Sequence, residues 1–364
     1  MDKYICPRCG KSYPIAENHW LCDCGSILEL QPTPVIDPNQ IDASTRSLWR
    51  YAHTLPVRQA SKAVTLGEGW TPLIPFSSGQ PDLLLKLEYT NPTGSYKDRG
   101  ATVLVSKLAE VGVREVVEDS SGNAGAALAA YASRAGILCH IYAPASHSSA
   151  KLRQIQAYGA DLIPIEGSRQ AVSDAAIAAA HSSYYASHAH SPLFIEGCKT
   201  MAYEIWEQLH GRVPGVVLTP LGQGSILLGL HKGFSELYAA GLVDTQPRIV
   251  GIQVEACAPL ALAFQKGLLE PEKVEVGPTI AEGIKIAEPV RGKEILAAVR
   301  ASRGSILAVS DDQTSLAAAD LARQGVYVEP TSAVTLAGYR LLQSYGITDT
   351  PAVLILTGSG LKTG

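Results

Sequence analysis

Short apolar runs rich in aliphatic and β-branched residues recur along most of the chain after the first sixty residues. Each run has the length of a buried strand, about four to eight residues, and is shorter than a buried helix. The pattern therefore predicts strands at 83–87, 114–118, 138–143, 161–165, 216–219, 249–254 and 352–356.

Ala-rich segments with helical spacing separate these runs. The clearest predicted helices are 124–135, 200–209 and 313–324. Strands that alternate with helices in this way are typical of right-handed β-α-β units around mainly parallel sheets. The predicted fold class is therefore α/β, with helices flanking the sheets, and residues 31–62 are predicted to be an irregular linker.

Composition narrows the function classes. The chain has 364 residues, of which 46% are hydrophobic, and a formal net charge of −4 without a long basic run. These values favour small-molecule chemistry over nucleic-acid binding or a polybasic membrane contact. The N-terminus lacks the apolar core of a signal peptide, and no apolar stretch approaches the roughly 18 to 20 residues that span a bilayer. We interpret the chain as cytoplasmic.

Four of the seven cysteines lie close together at the N-terminus. Cys6 and Cys9 form a C-x-x-C pair, and Cys22 and Cys24 form a tighter C-x-C pair. Thiolates at such spacings can converge on zinc, and each pair is followed by a glycine that lets the backbone turn around a metal. The shorter second pair leaves a metal-free knuckle as the alternative. Because residues 1–30 contain few basic side chains, we expect this zinc-ribbon-like segment to be a structural cap.

The remaining cysteines lie in apolar surroundings. Cys139, Cys198 and Cys257 are predicted to be small core residues, since free cysteine is commonly buried.

Residues 91–100 read Asn-Pro-Thr-Gly-Ser-Tyr-Lys-Asp-Arg-Gly and follow the predicted strand at 83–87. A lysine amine is a poor nucleophile at neutral pH unless its surroundings lower its pKa or a carbonyl cofactor is bound to it. Lys97, in a turn bounded by Gly94 and Gly100, is the candidate for the second case. The alternative is a surface lysine in a loop.

This motif resembles the cofactor-binding segment of the pyridoxal-phosphate enzymes related to threonine synthase, which belong to fold-type II and the tryptophan synthase beta superfamily. Three further segments agree with threonine synthase in the same chain order: 66–73 (Leu-Gly-Glu-Gly-Trp-Thr-Pro-Leu), 120–125 (Ser-Ser-Gly-Asn-Ala-Gly) and 329–333 (Glu-Pro-Thr-Ser-Ala). The resemblance implies a lyase of amino-acid biosynthesis. It also implies that Lys97 holds pyridoxal 5'-phosphate and then acts as the general base.

The same resemblance implies an architecture of two lobes and a homodimer. The large cofactor-binding lobe is expected at 31–97 and 206–364, and the small substrate lobe at 98–205.

A phosphate cradle is predicted at 221–226 (Leu-Gly-Gln-Gly-Ser-Ile), where a strand is followed by a helix. Glycines let backbone N–H groups approach a phosphate at the positive end of a helix. An ordinary tight turn is the alternative. The resemblance assigns the cofactor phosphate to the following residues: Gly222, Gln223, Gly224, Ser225 and Ile226.

Two other segments complete the predicted site. Thr357, after the last strand, resembles the hydroxyl that faces the pyridine nitrogen, and its alternative role is to bond its own backbone. A neutral hydroxyl there favours elimination and replacement over transamination. In the 120–125 turn, Asn123 is expected at the cofactor ring hydroxyl. The substrate is expected at Ser120, Ser121, Gly122 and Ala124, where donors at a helix N-terminus suit a carboxylate.

The substrate is where the sequence departs from the family. Threonine synthases hold the phosphate of O-phosphohomoserine with a Thr, an Asn and an Arg, and here Ala124, His188 and Phe194 stand at those positions. An Arg contact to a phosphate is not replaced conservatively by Phe. Candidate compensating cations are His147, Lys151, His188 and Lys199.

Two enzymatic interpretations follow. The first is a threonine synthase that makes L-threonine from O-phospho-L-homoserine. The second is a paralogue that performs β-elimination or β-replacement on serine, threonine or an activated derivative. The intact Lys97 argues against a non-catalytic cofactor-binding protein, and the few basic residues of the N-terminal segment argue against a zinc-ribbon nucleic-acid adaptor. We expect a small amino acid as the partner, and neither nucleic acid nor membrane.

Overall fold

A computed structural model describes residues 2–145 and 150–363 of the chain. His147, one of the candidate compensating cations, lies outside the described residues. Residue contacts divide the chain into two compact units. The first unit contains residues up to Gly69 and Asn91–Gly197, and the second contains Trp70–Thr90 and Cys198–Thr363. The lobe boundaries near residues 98 and 205 stay a prediction.

The strands of the described residues are short. In chain order they are β1 (Lys3–Ile5), β2 (Ser12–Pro14), β3 (Glu29–Leu30), β4 (Leu73–Ser77), β5 (Gln80–Lys86), β6 (Glu115–Glu118), β7 (Leu138–Pro144), β8 (Asp161–Ile165), β9 (Tyr184–Tyr185), β10 (Val216–Pro220), β11 (Arg248–Val254), β12 (Ser305–Val309) and β13 (Ala352–Ile355). Strands β10, β11 and β13 are buried along almost all of their length, whereas β4 and β8 contain no buried residue.

The α-helices alternate with these strands. They are α1 (Lys97–Glu110), α2 (Asn123–Ala135), α3 (Ala150–Ala157), α4 (Arg169–Ala179), α5 (Pro192–Gln208), α6 (Ser225–Ala239), α7 (Pro259–Gln265), α8 (Gly292–Ala301), α9 (Asp311–Arg323) and α10 (Pro330–Ser344). Short 3-10 helices occupy Pro38–Gln40, Leu48–Thr54, Ala60–Lys62, Glu88–Thr90, Glu282–Ile284 and Gly360–Lys362.

The described residues of the first unit form two sheets. An antiparallel sheet of order β2-β1-β3 lies in the cysteine-rich segment, which we call the ribbon (residues 2–30). A sheet of order β8-β7-β6-β9 has parallel pairing throughout. Its strand β6 leads directly into the turn at 120–125, which opens α2.

The second unit is built on a sheet of order β12-β11-β10-β13-β5-β4. All its neighbours are parallel except β4, which pairs antiparallel with β5 at the edge. Buried aliphatic side chains of the central strands and of α10 form its core. Mainly parallel sheets with intervening helices confirm the predicted α/β class.

A fully buried charged network ties β5 to α5 in the second unit. The Lys86 ammonium donates to Glu204 Oε2 at 2.8 Å and to the Thr71 carbonyl at 2.7 Å. Gln208 Oε1 accepts a third bond at 2.9 Å. A buried ammonium with three acceptors is satisfied, as a charge in the protein interior must be.

Among the helices that the structure describes, none combines the length and the apolar character needed to cross a bilayer.

Candidate functional site

Lys97 is the first residue of α1, and the buried loop before it is fixed by hydrogen bonds. The fully buried Asp98 carboxylate accepts bonds from the Thr93 backbone N–H at 2.7 Å and from the Thr93 hydroxyl. Asn91 Oδ1 accepts from the Gly69 N–H at 2.9 Å. These hydrogen bonds fix the loop, and the half-buried Lys97 follows it at the start of α1.

Aromatic rings face the Lys97 amine within the first unit. Its Nζ lies 4.7 Å from the centre of the Tyr96 ring and 5.5 Å from the centre of the Phe194 ring. Aromatic faces attract an ammonium group at such distances. Phe194 is 2% exposed, so it presents a dry apolar surface to the amine.

Two glycines permit the close approach of α1 to the start of α5. A Cβ on Gly100 would lie 2.2 Å from the Phe194 ring, and a Cβ on Gly197 would lie 1.8 Å from the Arg99 carbonyl oxygen. Any side chain at either position would push the two segments apart. Because Gly100 has no side chain, the Phe194 ring can occupy the space beside Lys97.

His188 meets the buried Glu118 at the end of β6. The His188 N–H donates to Glu118 Oε2 at 3.0 Å, and His188 Nδ1 lies 3.4 Å from Glu118 Oε1. Burial, followed by the nearby charge of Lys97, holds the pKa of His188 well below its usual range. Burial and the neighbouring Asp119 hold the pKa of Glu118 well above its usual range. Both shifts favour the uncharged forms, so we describe this contact as a neutral pair.

The turn at 120–125 connects β6 to α2 with Gly122 as the residue before the helix. A Cβ on Gly125 would lie 1.9 Å from the Ser120 carbonyl oxygen, so the tight turn requires glycine there. Ser120 to Asn123 are half-buried, whereas Ala124 is 3% exposed. Helix α2, which Asn123 opens, packs against α1, which Lys97 opens.

The predicted cradle lies in the second unit at the end of β10. Gly224 has φ +80° immediately before α6, and a Cβ there would lie 2.3 Å from the Ile295 side chain. At Gly222 a Cβ would lie 3.2 Å from Ile284 Cα. Packing against Ile295 and Ile284 thus requires glycine at both positions, and the N-terminus of α6 offers backbone N–H groups of the kind that bind a phosphate.

Thr357 follows β13, which is the parallel neighbour of β10. The carboxyl ends of neighbouring parallel strands meet at one edge of a sheet, so the second unit brings the cradle and Thr357 to the same edge. The Thr357 hydroxyl is 3.0 Å from the Ser332 hydroxyl, and Ser332 also accepts from the Gly358 N–H at 2.9 Å. Ser332 lies in the 329–333 segment, but sequence reasoning gave it no role.

Three of the four candidate compensating cations lie among the described residues, and His188 is the partner of Glu118. Lys199 is fully buried in the second unit and lies 3.1 Å from Glu236 Oε2, so its charge is already matched. Lys151 lies in the first turn of α3.

The four ribbon cysteines converge. Their sulfur atoms all lie within 4.8 Å of one another. Two of the distances are 3.6 Å (Cys6 to Cys24) and 3.5 Å (Cys9 to Cys22), close to the roughly 3.8 Å expected between thiolates bound tetrahedrally to zinc. Gly10 and Gly25 have φ of +75° and +78°, as tight turns after each pair require. The cluster can hold a metal.

The contacts of Glu118, Tyr185 and Asn18 were missed by sequence reasoning. Each of these contacts joins residues far apart in the chain, as when the Tyr185 N–H donates to Asn18 Oδ1. Such contacts produce no periodic pattern in the sequence. A paired polar residue at a strand end, as in Glu118-Asp119, is the one local hint.

Comparison with known proteins identifies the family of the chain. Residues 64–358 match the family described as pyridoxal-phosphate dependent enzyme. Threonine synthase of Methanocaldococcus jannaschii is 36% identical over 98% of this chain and 92% of that protein. Threonine synthase of Mycobacterium tuberculosis is also 36% identical, over 86% of this chain and 87% of its own length.

Solved structures share the fold. A threonine deaminase from T.th. has a TM-score of 0.65 at 28% identity, covering 76% of this chain and 87% of that chain. Threonine deaminase isoform 2 from Solanum lycopersicum has a TM-score of 0.72 at 22% identity, covering 94% and 92%. The chain thus belongs to the pyridoxal-phosphate dependent enzymes and is a threonine-synthase-like lyase of that family.

Proposed function

We propose that the chain catalyses elimination or replacement on a small amino acid with pyridoxal phosphate held at Lys97. The observation that carries this proposal is the fixed loop that places Lys97 at the start of α1 beside the Phe194 ring. Bound pyridoxal phosphate supplies an electron sink for charge that develops at the substrate α-carbon. The Lys97 amine would act as the base that removes the substrate α proton.

The other proposed roles are binding of the cofactor phosphate, of its pyridine nitrogen and ring hydroxyl, and of the substrate carboxylate. In the second unit, Gly222 to Ile226 would hold the cofactor phosphate, and Thr357, oriented by Ser332, would face the pyridine nitrogen. A hydroxyl does not supply the negative charge that would keep that nitrogen protonated, which favours elimination and replacement. In the first unit, the 120–122 turn would receive the substrate carboxylate and Asn123 would face the ring hydroxyl.

The relatives support L-threonine formation from O-phospho-L-homoserine as the first candidate reaction. A second candidate is supported by the side chains near Lys97. Phe194 is buried and apolar, and His188 is held neutral by its lowered pKa, so neither offers the substrate a cation for a phosphate. These residues favour a substrate with an uncharged side chain, such as serine or threonine.

A paired assay separates the two candidates. The holoenzyme is incubated with O-phospho-L-homoserine while phosphate and threonine are measured, and with L-serine or L-threonine while 2-oxoacid is measured. Phosphate release with equimolar threonine establishes the first candidate. Oxoacid release without phosphate release establishes the second, and a holoenzyme inactive in both assays contradicts the lyase proposal for these substrates.

We also propose that the ribbon cysteines bind one structural zinc ion, since their convergence fits tetrahedral thiolate ligation. Metal analysis of the purified protein should give about one zinc per chain. Cys9→Ser should lose it, whereas Cys139→Ala, outside the ribbon, should retain it. A zinc content that is unchanged in Cys9→Ser would refute the site.

A cytoplasmic location and a homodimer complete the proposal. None of the seven cysteines forms a disulfide in the structure, as expected for a reducing compartment. The homodimer follows from the family resemblance, and light scattering of the holoenzyme tests it.

A further inference from the structure

The ribbon is hydrogen-bonded to the edge of the four-stranded sheet in the first unit. Asn18 Nδ2 donates to the carbonyl oxygens of Ala180 at 2.6 Å and Ser183 at 2.8 Å. Asn18 Oδ1 accepts from the Tyr185 N–H at 2.8 Å. One ribbon side chain therefore supplies hydrogen bonds that an edge strand otherwise lacks.

Aromatic packing strengthens the same contact. The Trp20 ring meets the Tyr185 ring edge-on, with centres 5.5 Å apart and planes at 85°. Tyr4 of β1 lies with its hydroxyl 3.1 Å from that of Tyr184. Aromatic pairs in this geometry contribute attraction beyond the area that they bury. Strand β9, only two residues long, thus depends on the ribbon for packing as well as for hydrogen bonds.

Strand β9 in turn holds Asp119, the residue that precedes the turn at 120–125. The Tyr185 hydroxyl donates to Asp119 Oδ1 at 2.9 Å, and Arg169 Nη2 donates to Asp119 Oδ2 at 2.6 Å. Asp119 is 6% exposed and directly follows β6. Two donors on its two oxygens fix the orientation of this carboxylate, and with it the backbone that enters Ser120.

The positions of Asn18 and Trp20 connect these contacts to the cysteine cluster. Both residues lie in the segment between the two cysteine pairs, and Trp20 is two residues before Cys22. Tyr13, which stacks on His19 at 4.2 Å, bonds through its hydroxyl to Cys22 Sγ at 3.1 Å. A metal that gathers the four sulfur atoms would therefore also fix the segment that carries Asn18 and Trp20.

We propose that the metal-bound ribbon supports the substrate site, with Tyr185 as the positioning residue that connects Asn18 and Trp20 to Asp119 and the 120–123 turn. The proposal rests on the proposed function in one respect, namely that this turn binds the substrate carboxylate. The chain of contacts runs from the cysteine cluster through Asn18 and Trp20 to Tyr185, and from Tyr185 to Asp119.

Amide hydrogen exchange of the zinc-loaded holoenzyme tests the support directly. Asn18→Ala keeps all four cysteines but removes three hydrogen bonds to the sheet edge. We expect at least about a tenfold faster exchange in peptides covering 184–187 and 118–124, with zinc content unchanged. Removal of zinc with a chelator should accelerate the same peptides, and Asn39→Ala, an exposed control outside the ribbon, should accelerate neither.

Acceleration confined to residues 2–30 would overturn the proposal, because the ribbon would then be independent of the turn. This measurement needs no turnover. A protein that lacks the proposed activity but shows the expected exchange would sink the proposed function and leave the support intact.

The kinetics of Tyr185→Phe provide the second test. This change keeps the ring against Trp20 and removes the hydroxyl that donates to Asp119. We expect KM for the amino-acid substrate to rise about three- to tenfold with kcat within about twofold of wild type, since a hydrogen bond to a charged group orients a binding element. Tyr142→Phe is the matched control, because Tyr142 packs against the same group of buried side chains as Tyr185. It should change neither KM nor kcat. An unchanged KM in Tyr185→Phe would rule out its positioning role.

Discussion

Both small and large residues determine the surroundings of the Lys97 amine. Thr93 and Asp98 hold the loop before the helix, and Gly100 makes room for the Phe194 ring that faces the amine. Sequence reasoning found the lysine and the glycine from the motif. It could not find why the glycine is needed, because the ring that fills the space comes from a segment far along the chain.

Gly100→Ala should therefore destabilise the protein. The added Cβ would lie 2.2 Å from the Phe194 ring, and overpacking of a rigid interior costs about 1–3 kcal/mol of the free energy of unfolding. Urea unfolding measures this cost. Gly79→Ala is the control, since a Cβ there meets nothing within 4 Å and should change stability by less than about 1 kcal/mol. Equal stability of the two variants would contradict the packing argument.

Thr357→Val should weaken cofactor binding about tenfold. Valine keeps the shape of threonine but removes the hydroxyl that we place at the pyridine nitrogen, and one net hydrogen bond corresponds to about 0.5–1.5 kcal/mol. Titration of the apoprotein with pyridoxal phosphate measures the change, and Thr357→Ser should bind nearly as wild type. Wild-type affinity in Thr357→Val would remove Thr357 from the site.

At the scale of elements, sequence patterns predicted the central strands and the edge strand β8 but missed the edge strands β4, β9 and β12. Buried parallel strands such as β10 and β13 are continuous apolar runs, so hydrophobicity alone finds them. Strand β9 has two residues, which is too short for any periodicity. Its hydrogen bonds to Asn18 and its position beside β6 depend on tertiary contacts that no local pattern encodes.

The neutral pair at the end of β6 should make stability depend on pH. Because burial lowers the pKa of His188 in the folded state, the unfolded chain takes up a proton at this residue below about pH 6.5 and the folded chain does not. This contribution to the free energy of unfolding is therefore present above that pH and is lost on acidification. Glu118, whose folded pKa is raised, has the opposite sign and loses its contribution as pH rises through that pKa.

Urea unfolding of wild type and His188→Gln between about pH 7.5 and 5 tests the sign. Wild type should lose stability more steeply below about pH 6.5, and His188→Gln should flatten that slope. His181→Gln, at an exposed histidine, should keep the wild-type slope. Parallel curves for wild type and His188→Gln would show that His188 does not titrate differently in the folded chain.

For the whole molecule, the proposed roles are divided between the two units. The first unit carries Lys97, the turn at 120–125 and the ribbon, and the second carries the predicted phosphate cradle at 221–226 and Thr357. Motifs read in a fixed order indicated this family from sequence, and comparison with known proteins confirmed it. The motifs do not identify the substrate, because Ala124, His188 and Phe194 differ from the family. The effect of these three residues on substrate binding depends on their packing and protonation.

The assignment of Lys97 as the cofactor-bearing residue is the central claim, and reductive labelling tests it most directly. The yellow holoenzyme is treated with borohydride, digested and mapped by mass spectrometry, with Lys97→Ala as the matched control. We predict a single pyridoxyl group on Lys97 in wild type and none at any lysine in Lys97→Ala. A label on another lysine, or a wild-type protein that takes up no pyridoxal phosphate, would contradict the account.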